Sequence, residues 1–156
     1  MSESVYLAGP LGFAEAGRLF HQQVVIPSLV ARGYAILDPW TLNEGPALTA
    51  ALALTDLNQQ RATWARLNAT IGQVNSAAID RCDWVLANLD GVDVDSGTAA
   101  EIGYAYARGK RIIGYRGDFR FSCDNLGSTV NLQVEYFIRA SGGEIYRDWD
   151  GLLAAL

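Results

Sequence analysis

The sequence predicts an α/β fold: a small, doubly wound sheet of five parallel strands with helices on both faces. Three observations support this fold class. Short apolar runs alternate with helical patterns along the 156 residues, as in a parallel sheet whose crossovers are helices. The runs are continuously apolar, which is typical of strands that are buried on both faces. Most of them end at Gly, Pro, Asn or Asp, the residue types that break strands.

The five predicted strands are well separated along the chain. Each begins as an apolar run and closes with a breaker, so its carboxyl end can be located in the sequence. They are SVYLAGP (4–10), YAILDPW (34–40), DWVLANLDG (83–91), KRIIGYRGD (110–118) and the start of EIYRDWDGLLAAL (144–156).

Helical patterns fill the intervals between these strands. In the first interval, apolar residues recur at helical spacing until Gly33 ends the pattern. No linker, internal repeat or low-complexity tract interrupts the series, so residues 1–156 are expected to form one Rossmann-like or flavodoxin-like domain. The predicted helices lie at 15–33, near 47–55, near 57–81, within 93–109, at 131–143 and after the fifth strand.

Composition limits the classes of partner. The formal net charge is −5, and half of the residues are hydrophobic. A nucleic-acid backbone or an anionic membrane needs a basic face, so neither is expected as a partner. No secretory leader and no apolar run of about 18 residues is present, which favours a cytoplasmic protein. With His21 as the single histidine and no CxxC pair, no metal or other cofactor is expected.

Polar side chains follow the predicted strands where ligands bind in doubly wound folds. Gly9 ends the first strand in AGPLG, which matches neither common phosphate-binding glycine pattern. A tight turn that lets the backbone approach a ligand is the favoured interpretation, ahead of a dinucleotide site. Asp38 and Trp40 follow the second strand and are also expected to line the substrate crevice.

Two carboxylates after the third strand, Asp95 and Glu101, allow two interpretations. A pair of carboxylates whose environments separate their pKa values can divide nucleophilic and proton-transfer work, as glycosyl chemistry requires. Alternatively, Thr98 and Glu101 form a capping box and Asp95 complements the helix dipole. Spacing alone favours the cap. A cap does not explain the further carboxylates of Asp90 and Asp93 at the same strand end.

Four segments resemble the nucleoside 2-deoxyribosyltransferase family. Its most specific element here is the block D-x-G-T-x-x-E-x-G-x-A, and the other segments occur in the family's order and spacing. The four are VYLAGP (5–10), CDWVLANLDG (82–91), DSGTAAEIGYAYARGK (95–110) and VNLQVEYFI (130–138). The resemblance implies an enzyme that moves 2-deoxyribose between purine and pyrimidine bases through a covalent glycosyl-glutamate, with retention of configuration, in nucleotide salvage.

The same resemblance implies the roles of individual residues. Glu101 matches the nucleophile that attacks C1′ of a 2′-deoxynucleoside. Asp95 matches the aspartate that contacts the base and helps to protonate it as it leaves. Tyr6 matches the tyrosine whose hydroxyl holds the glutamate in place.

Further matches concern the substrate and the assembly. Trp40 falls at the position of a side chain that forms one wall of the base-binding site, and Phe13 is expected to form a second wall. Asn131 matches an asparagine that binds the sugar hydroxyls of a neighbouring subunit's site, and Gln133 is expected to face the sugar as well. The resemblance therefore implies a homodimer or a larger oligomer, up to a hexamer.

One position departs from the family's pattern. Many members carry an aspartate where this chain has Asn75. An asparagine offers a donor as well as an acceptor, whereas an aspartate only accepts. Asn75 is therefore expected to bind substrate differently and to alter base preference or the balance between transfer and hydrolysis. Asp80, one turn further on, offers a substitute for that aspartate, but the favoured interpretation is a solvated helix charge.

Two other functions stay open at this point. One is an N-glycosidase that hydrolyses 2′-deoxynucleoside 5′-monophosphates, for which a phosphate needs basic side chains. Arg18 and Arg116 are the only candidates, and the sequence predicts both as surface charges. The other is a non-catalytic nucleoside sensor, which would not need both Asp95 and Glu101.

Overall fold

The structure is a computed structural model that describes residues 2–156. Its five strands form one parallel sheet in the order β2-β1-β3-β4-β5, which confirms the predicted doubly wound fold in its flavodoxin-like form. The sequence order reverses between β1 and β3, so the switch point lies there. The strands are β1 (Ser4–Ala8), β2 (Ala35–Leu37), β3 (Trp84–Asn88), β4 (Arg111–Tyr115) and β5 (Ile145–Tyr146).

The helices follow the predicted order with three additions. A π-helical segment, His21–Val25, divides the first predicted helix, and a 3₁₀ turn, Leu11–Phe13, follows β1. The short helix α3 was not expected from the sequence; it begins at Pro39, a residue suited to a first helical position. The helices are α1 (Glu15–Phe20), α2 (Ile26–Ala31), α3 (Pro39–Leu42), α4 (Pro46–Leu52), α5 (Leu57–Arg81), α6 (Ser96–Ala107), α7 (Leu132–Ala140) and α8 (Trp149–Ala154).

The sheet separates two apolar cores. Successive side chains of a strand point to opposite faces, and β1 shows this directly. Tyr6 belongs to the core with buried residues of α5, α6 and α7. Leu7 belongs to the core with α2 and α8, where Leu29 and Leu152 are fully buried. Helices therefore cover both faces, as the continuous apolar strands predicted.

Among residues 2–156, no helix is both long enough and apolar enough to cross a bilayer.

Candidate active site

The centre of the site is a contact between β1 and α6 at the switch point of the sheet. The Tyr6 hydroxyl donates a hydrogen bond of 2.6 Å to Glu101 Oε1. The Tyr6 side chain is fully buried in the core, so its ring is held by packing and its hydroxyl has a fixed direction. The strand thus supplies a rigid donor, and the helix supplies a carboxylate.

The cap of α6 explains why the Glu101 carboxylate is available. Asp95 is the N-cap: its Oδ2 accepts from the Thr98 backbone N–H at 2.9 Å and from the Thr98 hydroxyl at 3.1 Å. The expected capping box between Thr98 and Glu101 is therefore wrong, because the helix begins three residues earlier than that box requires. Glu101 lies in the second turn, where no free backbone N–H needs it.

Burial changes the proton affinity of this carboxyl. Loss of solvation raises the pKa of Glu101, the charge of Asp95 raises it further, and the Tyr6 hydrogen bond opposes both, which leaves it at about 7. Burial and the adjacent Glu101 also raise the pKa of Tyr6 far above its usual value. Tyr6 therefore remains a protonated donor, while Glu101 titrates near neutrality, as carboxyls at functional sites often do.

Asn75 on α5 is the third member of the cluster. Its Nδ2 lies 3.5 Å from Glu101 Oε1, which is a long hydrogen bond. Its Oδ1 accepts a bond of 2.9 Å from Asn43 Nδ2. Sequence reasoning missed Asn43, and no local signal could have found it, because the contact joins residues 32 positions apart in the chain.

Two aromatic side chains stand together beside the loop after β1. The rings of Phe13 and Trp40 meet edge to face, with centroids 4.8 Å apart, and Phe13 is 73% exposed. Sequence reasoning overlooked Gly12: a Cβ at this position would overlap the Trp40 indole. The absence of a side chain at Gly12 thus allows Trp40 to lie against the loop.

Gly9 and Asp38 serve the framework of the site. A Cβ at Gly9 would lie 2.9 Å from the Cβ of Asn88, so this glycine lets the loop after β1 approach the end of β3. Asp38 is buried and caps α3, accepting from the Trp40 backbone N–H at 3.2 Å. Its other oxygen lies 3.1 Å from His21 Nε2. Both carboxylate oxygens of Asp38 therefore face protein groups.

Asn131 and Gln133 lie at the start of α7. Asn131 Oδ1 accepts from the backbone N–H groups of Gln133, at 3.0 Å, and Val134, at 3.4 Å, so Asn131 is the N-cap of the helix. Its Nδ2 donates to Asp124 Oδ2 at 3.3 Å. The Gln133 side chain is exposed. The structure gives neither side chain a hydrogen bond to the Glu101 cluster within the chain.

The prediction that Arg116 is a surface charge is wrong. The Arg116 side chain is fully buried. Its guanidinium donates to the carbonyl oxygens of Leu89, Gly91 and Arg120. It thus ties the loop after β3 to the loop after β4.

Two other predicted surface charges lie where the sequence suggested. Asp80 is exposed and forms an ion pair with Arg108 at 2.7 Å. Arg18 is exposed and donates to the Gly12 carbonyl at 3.1 Å. Asp80 therefore does not substitute for the aspartate that is absent at position 75.

The sequence model described as nucleoside 2-deoxyribosyltransferase matches residues 5–133. The chain belongs to this family. The matched range includes Tyr6, Asp95 and Glu101. No curated protein matches the chain.

Solved structures that the chain resembles agree with the family's fold. A conserved protein from Enterococcus faecalis is 22% identical, with a TM-score of 0.70 and coverage of 99% of this chain and 96% of that one. The 2-desoxiribosyltransferase from Leishmania mexicana is 22% identical, with a TM-score of 0.61 and coverage of 98% and 95%. The CMP N-glycosidase of Clostridium botulinum is 19% identical, with a TM-score of 0.58 and coverage of 98% and 97%.

The donor groups of this family member fit acid–base and nucleophilic chemistry. Across residues 2–156, no three His, Cys, Asp or Glu side chains are grouped so that they could hold a metal ion. The polar cluster instead combines one carboxylate that titrates near pH 7 with a phenol and an amide that face the same carboxylate oxygen.

Proposed function

We propose that the protein is a nucleoside 2-deoxyribosyltransferase that moves 2-deoxyribose from one purine or pyrimidine base to another. One observation carries this proposal: Glu101 is a partly buried carboxylate with only one of its oxygens held. Oε1 accepts from Tyr6 and faces Asn75, whereas Oε2 accepts no hydrogen bond from any of residues 2–156. A fixed carboxylate with one free oxygen is suited to nucleophilic attack.

The first half-reaction would form a glycosyl ester. Glu101 Oε2 attacks C1′ from the face opposite the base, so the C1′–Oε2 bond forms as the bond from C1′ to the base nitrogen breaks. The electron pair passes to that nitrogen, which takes up a proton. Asp95 is suited to deliver the proton, because its Oδ2 is used by the helix cap and its other oxygen can face the base.

The second half-reaction reverses these steps with a different base. A nitrogen of the incoming base attacks C1′, the ester bond breaks, and its electron pair returns to Oε2. The proton that the incoming base loses returns to Asp95. Each displacement inverts C1′, so two displacements retain the configuration, as in retaining glycosidases.

The aromatic pair supplies the surface against which a base would stack. Trp40 lies against Gly12, and Phe13 meets the Trp40 ring edge to face with its own ring exposed. Flat aromatic surfaces bind purines and pyrimidines through their π-faces. This wall stands on the loop after β1 and on α3, beside the elements that carry the Glu101 cluster.

We further propose that Asn131 completes the site of a neighbouring subunit. Within its own chain, Asn131 Nδ2 donates one bond, to Asp124, and an amide nitrogen has a second proton to donate. Leu132 and Tyr136 expose apolar surface on the same helix, at 50% and 55%. An assembly through this face would bring that free donor to the sugar hydroxyls of the partner's substrate.

Complementation tests this assembly directly. Mixing the inactive Glu101→Gln and Asn131→Ala variants, followed by subunit exchange, should restore activity, because some mixed oligomers contain one intact site. The recovered activity should depend on the ratio in which the two variants are mixed. If neither mixing nor coexpression gives more activity than the separate variants, Asn131 acts within its own chain.

The alternative function, hydrolysis of 2′-deoxynucleoside 5′-monophosphates, has one observation in its favour. The Arg18 guanidinium lies at the loop after β1, where it donates to Gly12 and keeps other N–H groups free. Arg116 does not support this alternative, because its guanidinium is occupied by three carbonyl oxygens. A single exposed arginine is a weak phosphate site compared with a cluster of donors.

Product analysis distinguishes these functions. The folded protein is incubated with a 2′-deoxynucleoside and a different free base, and in parallel with a 2′-deoxynucleoside 5′-monophosphate in water. The proposal expects a new deoxynucleoside from the first mixture. Free 2-deoxyribose 5-phosphate from the second mixture alone would favour the hydrolase, and binding of nucleosides without any product would favour a sensor.

A further inference from the structure

We propose that Asn43 is a positioning residue: it fixes the side-chain amide of Asn75 so that Asn75 donates to Glu101. This inference rests on the proposed function of Glu101 as the nucleophile. It concerns three side chains from three different helical segments, which are joined by two successive hydrogen bonds. Asn43 is the C-cap residue of α3, Asn75 lies on α5 and Glu101 on α6.

The Pro39 carbonyl determines which way these hydrogen bonds are donated. A backbone carbonyl can only accept a hydrogen bond, and Asn43 Nδ2 lies 2.8 Å from Pro39 O. The same nitrogen lies 2.9 Å from the Asn75 side chain. Both protons of Asn43 Nδ2 are thus directed, one to Pro39 and one to Asn75. The atom of Asn75 that receives the second proton must be its oxygen.

The orientation of Asn75 then determines what Glu101 meets. With Oδ1 turned to Asn43, the amide nitrogen faces Glu101 Oε1, at 3.5 Å. A flipped amide would place an oxygen lone pair against the carboxylate and leave Asn43 facing a second nitrogen. The distance to Glu101 is long here, and such contacts often shorten when a substrate binds. Asn43 therefore favours the orientation of the Asn75 amide in which its nitrogen, and not its oxygen, faces the Glu101 carboxylate.

The consequence for the reaction follows from which oxygen is held. Donors from Tyr6 and Asn75 both approach Oε1, so the rotation of the carboxylate is restrained from two sides and Oε2 is left toward the substrate. A donor also favours the ionised form of a carboxyl. An aspartate at position 75 would instead add a like charge. The asparagine at this position is thus effective as a donor because a second asparagine orients it.

Helix α3 links this device to the base wall. The helix is capped at one end by Asp38, carries Trp40 in its first turn, and has Asn43 as its C-cap. The segment from Asp38 to Asn43 thus carries both the indole proposed to stack on a base and the amide that orients Asn75.

The test is a titration of Glu101 that does not depend on turnover. With ¹³C-labelled glutamate, the carboxyl signal of Glu101 is assigned by its loss in Glu101→Gln and followed against pH. Asn43→Ala should move the titration upward by about half a pH unit or more, because Asn75 loses its orientation. Asn43→Asp, close in size to asparagine, should move it further, because a carboxylate turns the Asn75 amide around.

A second background separates orientation from general electrostatics. In an Asn75→Leu protein, Asn43→Ala should leave the Glu101 titration unchanged. Asn68→Ala, at an exposed position on the same helix α5, is the matched control and should change nothing in either background. An upward shift from Asn43→Ala that persists with Asn75→Leu, or no shift in the first background, overturns the inference.

Kinetics provide the second readout. If the wild type transfers deoxyribose, Asn43→Ala should lower kcat/KM at pH 7 and move its acid limb upward together with the titration. An unchanged acid limb beside a shifted titration would contradict the link to catalysis. If the wild type has no transfer activity with any donor, the proposed function fails, while the titration still decides whether Asn43 orients Asn75.

Discussion

The two faces of the sheet differ most at the carboxyl ends of the central strands. On the face of α5 and α6 lies a polar cluster in which Tyr6 and Asn75 both donate to Glu101. On the opposite face lies a small hollow with a mainly apolar lining. Its lining includes Leu7, Gly9, Leu11, Val25, Leu86, Tyr115 and Trp149, together with His21 and Asn88.

The hollow and the perturbed Glu101 carboxyl therefore lie on different faces of the sheet. Cavities mark ligand sites when polar groups converge within them. The apolar hollow contains no carboxylate, whereas the opposite face holds a carboxyl with a pKa of about 7. We propose that the reaction takes place on the face with the perturbed carboxyl and that the apolar face contributes stability alone.

Glu101→Gln should have the largest effect. Removing the nucleophile is expected to reduce transfer by about 10³-fold or more, as for other covalent catalysts. The measurement is the initial rate of formation of a new deoxynucleoside. Glu15→Gln, an exposed glutamate on α1, is the control for loss of a negative charge and should retain full activity. Transfer by Glu101→Gln within tenfold of the wild type would exclude Glu101 as the nucleophile.

Leu29→Ala should lower stability and leave activity unchanged. Leu29 is fully buried in the core that contains Leu7 and Leu152, and truncation of such a leucine costs about 2–5 kcal/mol of unfolding free energy. Urea unfolding measures the loss. Activity per folded molecule should remain at the wild-type level at a temperature well below the transition. A specific loss of kcat in the folded fraction would show that the two faces are not separable.

The stability of the protein should depend on pH through Glu101. Its folded-state pKa, about 7, lies above the ordinary value of 4.5, so the folded chain binds the proton more tightly. The resulting stability is present below pH 4.5 and is lost as pH rises through about 7, in total about 3 kcal/mol. Glu101→Gln should therefore be more stable than the wild type at pH 8, and nearly equal to it at pH 4.5.

Urea unfolding of both proteins at the two pH values measures this difference. A wild type that gains stability relative to Glu101→Gln between pH 4.5 and pH 8 would reverse the predicted sign. Such a result would mean that the folded state favours the ionised carboxyl. The hydrogen bond between Tyr6 and Glu101 would then stabilise the fold.

Tyr6→Phe should have a smaller effect on activity than Glu101→Gln. The Tyr6 hydroxyl holds Oε1 and lowers the pKa of Glu101. Its removal should therefore release Oε1 and raise that pKa. A hydrogen bond to a charged group contributes about 1.5–3 kcal/mol, so kcat/KM at pH 7 should fall about 10- to 100-fold. The acid limb of the pH profile should move to higher pH. A fall in rate with an unmoved limb would mean that Tyr6 contributes packing alone.

The sequence predicted the sheet well because the information for it is local. Continuous apolar runs and breakers identify parallel strands wherever they occur, and all five runs became strands of one sheet. The cap of α6 was harder to predict, because Asp95 and Thr98 both have the side chain and spacing that an N-cap requires. Tertiary packing determines which of the two begins the helix.

The contacts that the sequence could not predict are long-range or involve the backbone. Asn43 and Asn75 meet because α3 and α5 pack together, and no pattern within either helix encodes that pair. Arg116 was assigned to the surface because its acceptors are carbonyl oxygens, which every residue possesses. A buried guanidinium without a carboxylate partner has no sequence signature.

Detection of a covalent glycosyl-enzyme is the most direct test of Glu101 as the nucleophile. The protein is mixed with a 2′-deoxynucleoside without an acceptor base, quenched in acid and digested, and its peptides are weighed by mass spectrometry. One added 2-deoxyribosyl group is expected on the peptide that contains Glu101, absent from Glu101→Gln and removed when a second base is added. An adduct on a different residue, or transfer that inverts the configuration at C1′, would contradict it.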